Sequence, residues 1–343
     1  MSGHPPLGVL LLYLGGPDGE AAVRPFLRNL FADREIIRFP GGALGQWLLA
    51  RLVSARRAPL TAARYREMGG YPLLPNTLQQ ARGLERELER RLPDRSVLVR
   101  PAFRYWHPFA GEALAELAGA GVQELVAVTL YPQFSATTTG SSLTDLQRAL
   151  ADRPPPASLR VVDRFSAAPR YRQLLLARIV EALDRWPASA RDEVLVLFTA
   201  HSVPLSFLER GDPYQREIED LQRWLVAHLP ARGVSAVPPQ LAYQSRSGPV
   251  RWLGPELLTV ARERIAAGQR EILLVPLSFV SDHLETLHEL DIEVKQELVT
   301  AGATRVERIR AFNDDPEFIA LLADLVLTAD EDGAELASLA RDG

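Results

Sequence analysis

Four short runs of apolar residues punctuate the chain, each too brief for a helix and each ending in residues that turn it. Val9 to Leu14 runs into Gly15-Gly16-Pro17, Leu125 to Leu130 into Tyr131-Pro132-Gln133, and Val194 to Phe198 into Thr199-Ala200-His201-Ser202. Ile272 to Val275 continues through Pro276 to Phe279 and then Ser281-Asp282-His283. Runs without alternation read as parallel strands buried on both faces. Between them the pattern turns helical, over Leu78 to Leu92, Tyr171 to Trp186, Pro213 to Leu229 and Glu256 to Ala267. Strand–helix alternation of this kind predicts an α/β fold with doubly wound parallel sheets, in two halves built alike. Ligands of open α/β sheets bind beyond the carboxyl ends of the strands, so the four strand ends nominate one cleft between two lobes.

Length agrees with that division: 343 residues are enough for two lobes, each with a core of its own. The Pro-rich stretch Arg153-Pro154-Pro155-Pro156 lies near the middle, and the tail from Ala329 onward is short and acidic. Charge narrows the partners. Acidic residues number 43 against 39 basic ones, a formal net charge of -4, so no overall basic excess points to nucleic acid. The sequence has no cysteine, which removes disulfides, thiolate zinc sites, a cysteine-ligated iron–sulfur cluster and any thiol nucleophile. Met1-Ser2-Gly3-His4-Pro5-Pro6 lacks the basic-then-apolar order of an export signal. No apolar run approaches the ~20 residues that span a bilayer. A cytoplasmic, non-integral protein is expected.

The segment Ser281 to Glu293 is the richest in chemistry. If it is α-helical, Glu285, Glu289 and Glu293 stack at i, i+4, i+8, where like charges cost about 0.2–0.5 kcal/mol per pair unless something cationic compensates. A row of carboxylates leading to His283 suits a path for a hard divalent cation; a solvated acidic face gives the same spacing. Leu284, Leu287, Leu290 and Ile292 mark the helix as packed rather than free. His201, one of six histidines, follows a buried strand, where an imidazole is placed to accept protons near neutral pH. Ile36 to Arg66 holds six arginines (Arg38, Arg51, Arg56, Arg57, Arg64 and Arg66) and no acid, with Leu44, Trp47, Leu48, Leu52 and Val53 at helical spacing. Such a segment can lie on a membrane surface, cover an apolar ligand, or pack into the core. Neither a GxSxG elbow, a GxxxxGK[ST] loop nor an HExxH helix is present.

Taken in order along nearly the whole chain, these residues resemble the ferrochelatase family. The matches are Leu14-Gly15-Gly16-Pro17 with Val23-Arg24-Pro25-Phe26-Leu27; Phe103-Arg104-Tyr105; Tyr131-Pro132-Gln133-Phe134-Ser135 with Thr138-Thr139-Gly140-Ser141-Ser142; Ala200-His201-Ser202-Val203-Pro204; Tyr243-Gln244-Ser245 with Gly248-Pro249 and Trp252-Leu253-Gly254-Pro255; and Pro276-Leu277-Ser278-Phe279 with Ser281 to Leu287. The resemblance implies two similar Rossmann-like lobes of chelatase type with a porphyrin between them, residues 1–137 completed by a C-terminal helix over 312–343, and residues 138–311 carrying His201 and an acidic helix over 282–297. It implies insertion of Fe²⁺ into protoporphyrin IX, with iron a substrate and neither a resident cofactor nor an iron–sulfur cluster. It marks His201, Glu285, His283 and Asp282 as catalytic, and His201, Glu285, Glu289 and Glu293 as the metal-handling set. Leu14, Tyr65, Arg104, Tyr131, Trp252 and Phe279 match porphyrin-lining positions, and residues 44–53 match an apolar lip with a peripheral membrane contact. A monomer is expected. Tyr13, Gly70-Tyr71-Pro72, His288 and Glu256-Leu257-Leu258 depart from the family pattern. A coproporphyrin or cobalt chelatase, and a non-catalytic haem or metal carrier, are the alternatives.

Overall fold

The computed structural model describes residues 5–329, apart from 233–236, 247 and 249; Pro249 and the acidic tail beyond Ala329 lie outside them. β1 (Leu7–Tyr13) is buried at every position. It pairs in parallel with β2 (Val97–Phe103) on one side and β3 (Glu124–Thr129) on the other, and β4 (Ser158–Val162) extends the sheet beyond β3. The helices of this stretch are α1 (Glu20–Ala32), α2 (Gly42–Glu67), α3 (Leu73–Arg91), α4 (Ala110–Gly119) and α5 (Ser141–Ala151).

A second parallel sheet follows. Its strands are β5 (Leu195–His201), β6 (Gln240–Gln244), β7 (Glu271–Pro276) and β8 (Arg305–Arg308), joined through α6 (Pro169–Leu183), α7 (Leu205–Leu208), α8 (Tyr214–His228), α9 (Leu257–Ala266), a π-helix over Leu284–Val294 and α10 (Lys295–Thr300). The strand orders are β2-β1-β3-β4 and β6-β5-β7-β8, the same permutation twice. The apolar runs of the sequence are the central strands β1, β3, β5 and β7. The edge strands escape that reading because pairing on one side leaves room for polar residues: β4 is half-buried throughout, and β8 reads Arg-Val-Glu-Arg.

Chain and core divide accordingly into two compact units, one from the N-terminus to Arg164 plus residues from Asn313 onward, the other Phe165–Phe312. The first unit runs past residue 137, where the sequence placed its end, because α5 and β4 belong to its sheet. One layer of its core joins Leu10 and Leu12 to Leu114 and Leu117 of α4 and Leu146 of α5. The other face is covered by α3 and by the last helix, α11 (Pro316–Thr328), which buries Phe318, Leu321, Leu322 and Val326, each contributing about 1.5–3 kcal/mol. The helices pack closely at Gly83, where a Cβ would stand 3.2 Å from Ile319. In the second unit Leu195, Leu197 and Leu274 pack on Ile265 of α9 and on Leu290 of the π-helix.

Candidate active site

In the second unit the carboxyl ends of β5, β6 and β7 carry the titratable groups. His201 ends β5; its backbone N–H donates to the Ser278 hydroxyl at 3.2 Å and its carbonyl accepts from the Tyr214 hydroxyl at 3.0 Å. The imidazole Nδ1 sits 2.6 Å from the Ser202 carbonyl oxygen. A carbonyl can only accept, so Nδ1 carries the proton and Nε2 is left to face Glu285 Oε1 at 3.8 Å. His283, after β7, repeats the arrangement: its Nδ1 donates to the Ser281 carbonyl at 2.9 Å and its Nε2 lies against the other oxygen of Glu285. Glu285 thus stands between two imidazoles.

Electrostatics fix the protonation of this row. Burial of His283 opposes its charge, but Glu285 and then the Ser281 carbonyl and Asp282 outweigh that, and its pKa rises. Burial likewise pushes Glu285 up, and the adjacent His283, with a smaller share from His201, pulls it well below the usual carboxylate range. The result is an imidazolium–carboxylate pair with the carboxylate still 28% exposed, facing Nε2 of His201. Phe279 meets the His283 ring edge-on at 4.6 Å. Trp252 bridges to Pro204, just after His201, and the next amide, of Leu253, donates to the Val203 carbonyl.

The acidic helix winds with i→i+5 bonds over eleven residues rather than as the α-helix expected across 282–297; extended π-winding is rare and is met mostly at functional sites. Its carboxylates part company instead of forming one cage. Glu289 accepts from the backbone N–H and the hydroxyl of Ser245, at 2.8 and 2.5 Å. Burial and the nearby Glu285 raise its pKa while Ser245 opposes the rise. Glu293 faces the buried His288 at 3.6 Å. Asp282 is held by Arg308 at 2.9 Å, which also takes Asp291 at 2.7 Å. The expected metal set of His201, Glu285, Glu289 and Glu293 is therefore three local arrangements, and among the described residues no three such side chains cage an ion. Gln244 and Ser245, quoted above only for the resemblance, are polar side chains of this row that periodicity missed.

The first unit places aromatic and buried polar groups at its strand ends. Gly15, with φ of 80°, lies so close to β2 that a Cβ would stand 2.7 Å from that of Phe103, and only glycine meets both demands. Leu14, next to it, accepts from the Tyr105 N–H at 3.1 Å. The rings of Tyr13 and Tyr131 lie 5.1 Å apart, and Tyr65 stacks on Tyr71 at 4.7 Å. Arg104 is locked: Nη2 meets Asp33 at 2.9 Å, Nε donates to Ser141 at 2.7 Å, and Asp145 stands at 3.5 Å. Asp33, which the sequence did not single out, also accepts from the hydroxyls of Ser141 and Tyr105 and from the Glu35 N–H. Burial raises its pKa, and these donors together with Arg104 bring it below normal.

On α2, Gln46 ties the inner face down by bonds to Phe31, Ile37 and Phe39 backbone groups. The outer face leaves Leu44, Trp47, Leu48 and Leu52 at least half exposed, with the Arg51 guanidinium 4.2 Å above the Trp47 ring. No helix among the described residues is long and apolar enough to cross a membrane.

A family profile described as Ferrochelatase matches residues 6–330. A ferrochelatase of Geobacter metallireducens is 43% identical, over 94% of this chain and 98% of its own length. One from Thermosynechococcus vestitus is also 43% identical, over 94% of this chain and 82% of its own length. Among solved structures, SirB from Bacillus subtilis with Fe3+ is similar with a TM-score of 0.50 and 12% identity, covering 75% of this chain and 92% of that one. That last likeness speaks to the fold.

Proposed function

Since this chain belongs to the ferrochelatase family, and is a metal-chelating lyase acting on a porphyrin and iron, we propose that its porphyrin is protoporphyrin IX and that it makes protohaem, at the last step of haem biosynthesis. Membership in an enzyme family removes the carrier reading. The observation that carries the mechanism is the row His201–Glu285–His283.

Metallation must take two protons from pyrrole nitrogens while Fe²⁺ sheds its water. His201, with Nδ1–H fixed on the Ser202 carbonyl, offers Nε2 as the proton acceptor. Glu285, kept ionised by the His283 cation, stabilises the imidazolium that His201 becomes, and His201, whose side chain is 36% exposed, gives each proton up to water before it takes the next. Glu289 and Glu293, further along, serve a hard cation as oxygen ligands. A macrocycle bent out of plane exposes its nitrogen lone pairs, and the strain comes from binding energy elsewhere on the ring.

One feature supports protoporphyrin over coproporphyrin. Arg104, the arginine at the end of β2, already answers to Asp33 and Asp145, and two propionates ask less of such arginines than four. The exposed leucines and Trp47 of α2 suit a peripheral contact with the cytoplasmic face of a membrane. Liposome flotation reads that contact directly, and failure to float would remove it. The deciding assay is anaerobic incubation with Fe²⁺ or Zn²⁺ and protoporphyrin, with coproporphyrin in parallel, followed by absorbance. Faster turnover of protoporphyrin supports the proposal, whereas faster turnover of coproporphyrin overturns it.

A further inference from the structure

Ser245, the residue after β6, has φ of 64°, a left-handed conformation that few residues other than glycine adopt. That turn aims its N–H and its hydroxyl at one target, and they end on the two oxygens of Glu289. Its neighbour does a matching task. Gln244, almost fully buried, donates to the Glu285 carbonyl at 3.1 Å and accepts from the Thr199 hydroxyl at 3.0 Å, while its own carbonyl accepts from the Ser202 N–H at 2.8 Å. Two consecutive residues at one strand end therefore hold the acidic row at two successive points, Glu285 by its backbone and Glu289 by its carboxylate. Through Thr199 and Ser202 both are referenced to the strand that bears His201.

Glycine would accept this backbone at no steric cost; serine adds a hydroxyl, and that hydroxyl is spent on Glu289. A carboxylate accepting one hydrogen bond on each oxygen keeps lone pairs for a cation or its hydration water, and its rotamer is fixed before the cation arrives, which lowers the cost of binding. Resting on the reading that the acidic row serves iron, we propose that Ser245 is a positioning residue: it fixes Glu289 as a station on the metal route and so sets the concentration of divalent metal the enzyme requires.

The test uses the full chain carrying Ser245→Gly, Ser245→Ala, Glu289→Gln, and Ser245→Gly with Glu289→Gln. Zn²⁺, or Fe²⁺ under anaerobic conditions, is varied at saturating porphyrin, and porphyrin at saturating metal. Loss of one hydrogen bond to a charged group predicts a metal KM raised roughly tenfold in Ser245→Gly, with the porphyrin KM unchanged. Ser245→Ala should match it, although alanine is strained at this φ; if that variant fails to fold, the glycine variant, which suits the backbone, carries the result. The double variant should be no worse than Glu289→Gln alone, as expected when one residue acts through the other. A wild-type metal KM in Ser245→Gly beside a raised one in Glu289→Gln would overturn the positioning role and leave the metal route standing. Additive losses in the double variant would overturn it too. An unchanged metal KM in Glu289→Gln would sink the metal-route reading itself.

Discussion

The two sheets share one strand order, and their backbones cross over in the same way. The N–H of Leu130, after β3, bonds to the Leu12 carbonyl; the N–H of Leu277, after β7, bonds to the Thr199 carbonyl. By this register Leu14 and His201 hold equivalent positions, each two residues beyond the crossing. In one unit that position is apolar, beside a glycine that lets the chain turn against β2. In the other it is an imidazole facing a carboxylate. Burial follows suit: Asp33 is almost fully buried against Arg104, whereas Glu285 remains partly open between two histidines. Topology supplies the same place twice, and side-chain chemistry tells the two places apart.

The sharpest way to break this comparison is to remove the groups proposed to react. His201→Ala and Glu285→Ala should each lower turnover on the order of a thousandfold while circular dichroism and thermal midpoint show an intact fold. Leu14→Ala, at the equivalent position, should cost less than about tenfold, because it removes contact area and no proton acceptor. Equal losses at positions 14 and 201 would mean that both units contribute chemistry.

A smaller effect separates the two arginine clusters. Arg104→Ala strands Asp33, which is almost fully buried, and should cost about 3–5 kcal/mol in a urea unfolding series. Arg308→Ala leaves Asp282 and Asp291, of which Asp291 is a third exposed, so solvent screening reduces the cost to about 1–3 kcal/mol. The order of the two losses is the readout, and a reversed order would show that the second cluster is the tighter one.

The smallest effect is the pH dependence that the Glu285–His283 pair contributes in the second unit. Glu285 has a lowered pKa, so its share of stability is complete above 4.5 and fades as pH falls through the folded-state value. His283 has a raised pKa, so its share is complete below 6.5 and fades as pH rises through its own folded-state value. The pair therefore contributes fully between those two pH values. Glu285→Gln should flatten both flanks in unfolding midpoints measured across pH, and unchanged flanks would assign the dependence elsewhere.

What could be read from the sequence follows the range of the interactions involved. Central strands show as apolar runs because both neighbours and both faces bury them, and the edge strands do not. His283 and Glu285 lie two residues apart, and His201 ends a strand, so local pattern exposes all three. Ser245 and Glu289 are 44 residues apart, and Tyr105 and Asp33 are 72 apart; no spacing rule connects such pairs. The π-winding was also hidden, since Leu284, Leu287, Leu290 and Ile292 satisfy a 3.6-residue period over so short a stretch.

The last helix gives the molecule a direction in time. Phe165–Phe312 is a single uninterrupted stretch, whereas the core of the first unit is finished by α11, encoded at the far end of the chain. On the ribosome the unit that starts second is the one whose residues are all available first. The N-terminal half must wait, its α3 uncovered at Gly83, until Ile319 emerges. A premature stop after residue 312 would therefore spare Phe165–Phe312 and remove the helix that completes the core of the half made earliest.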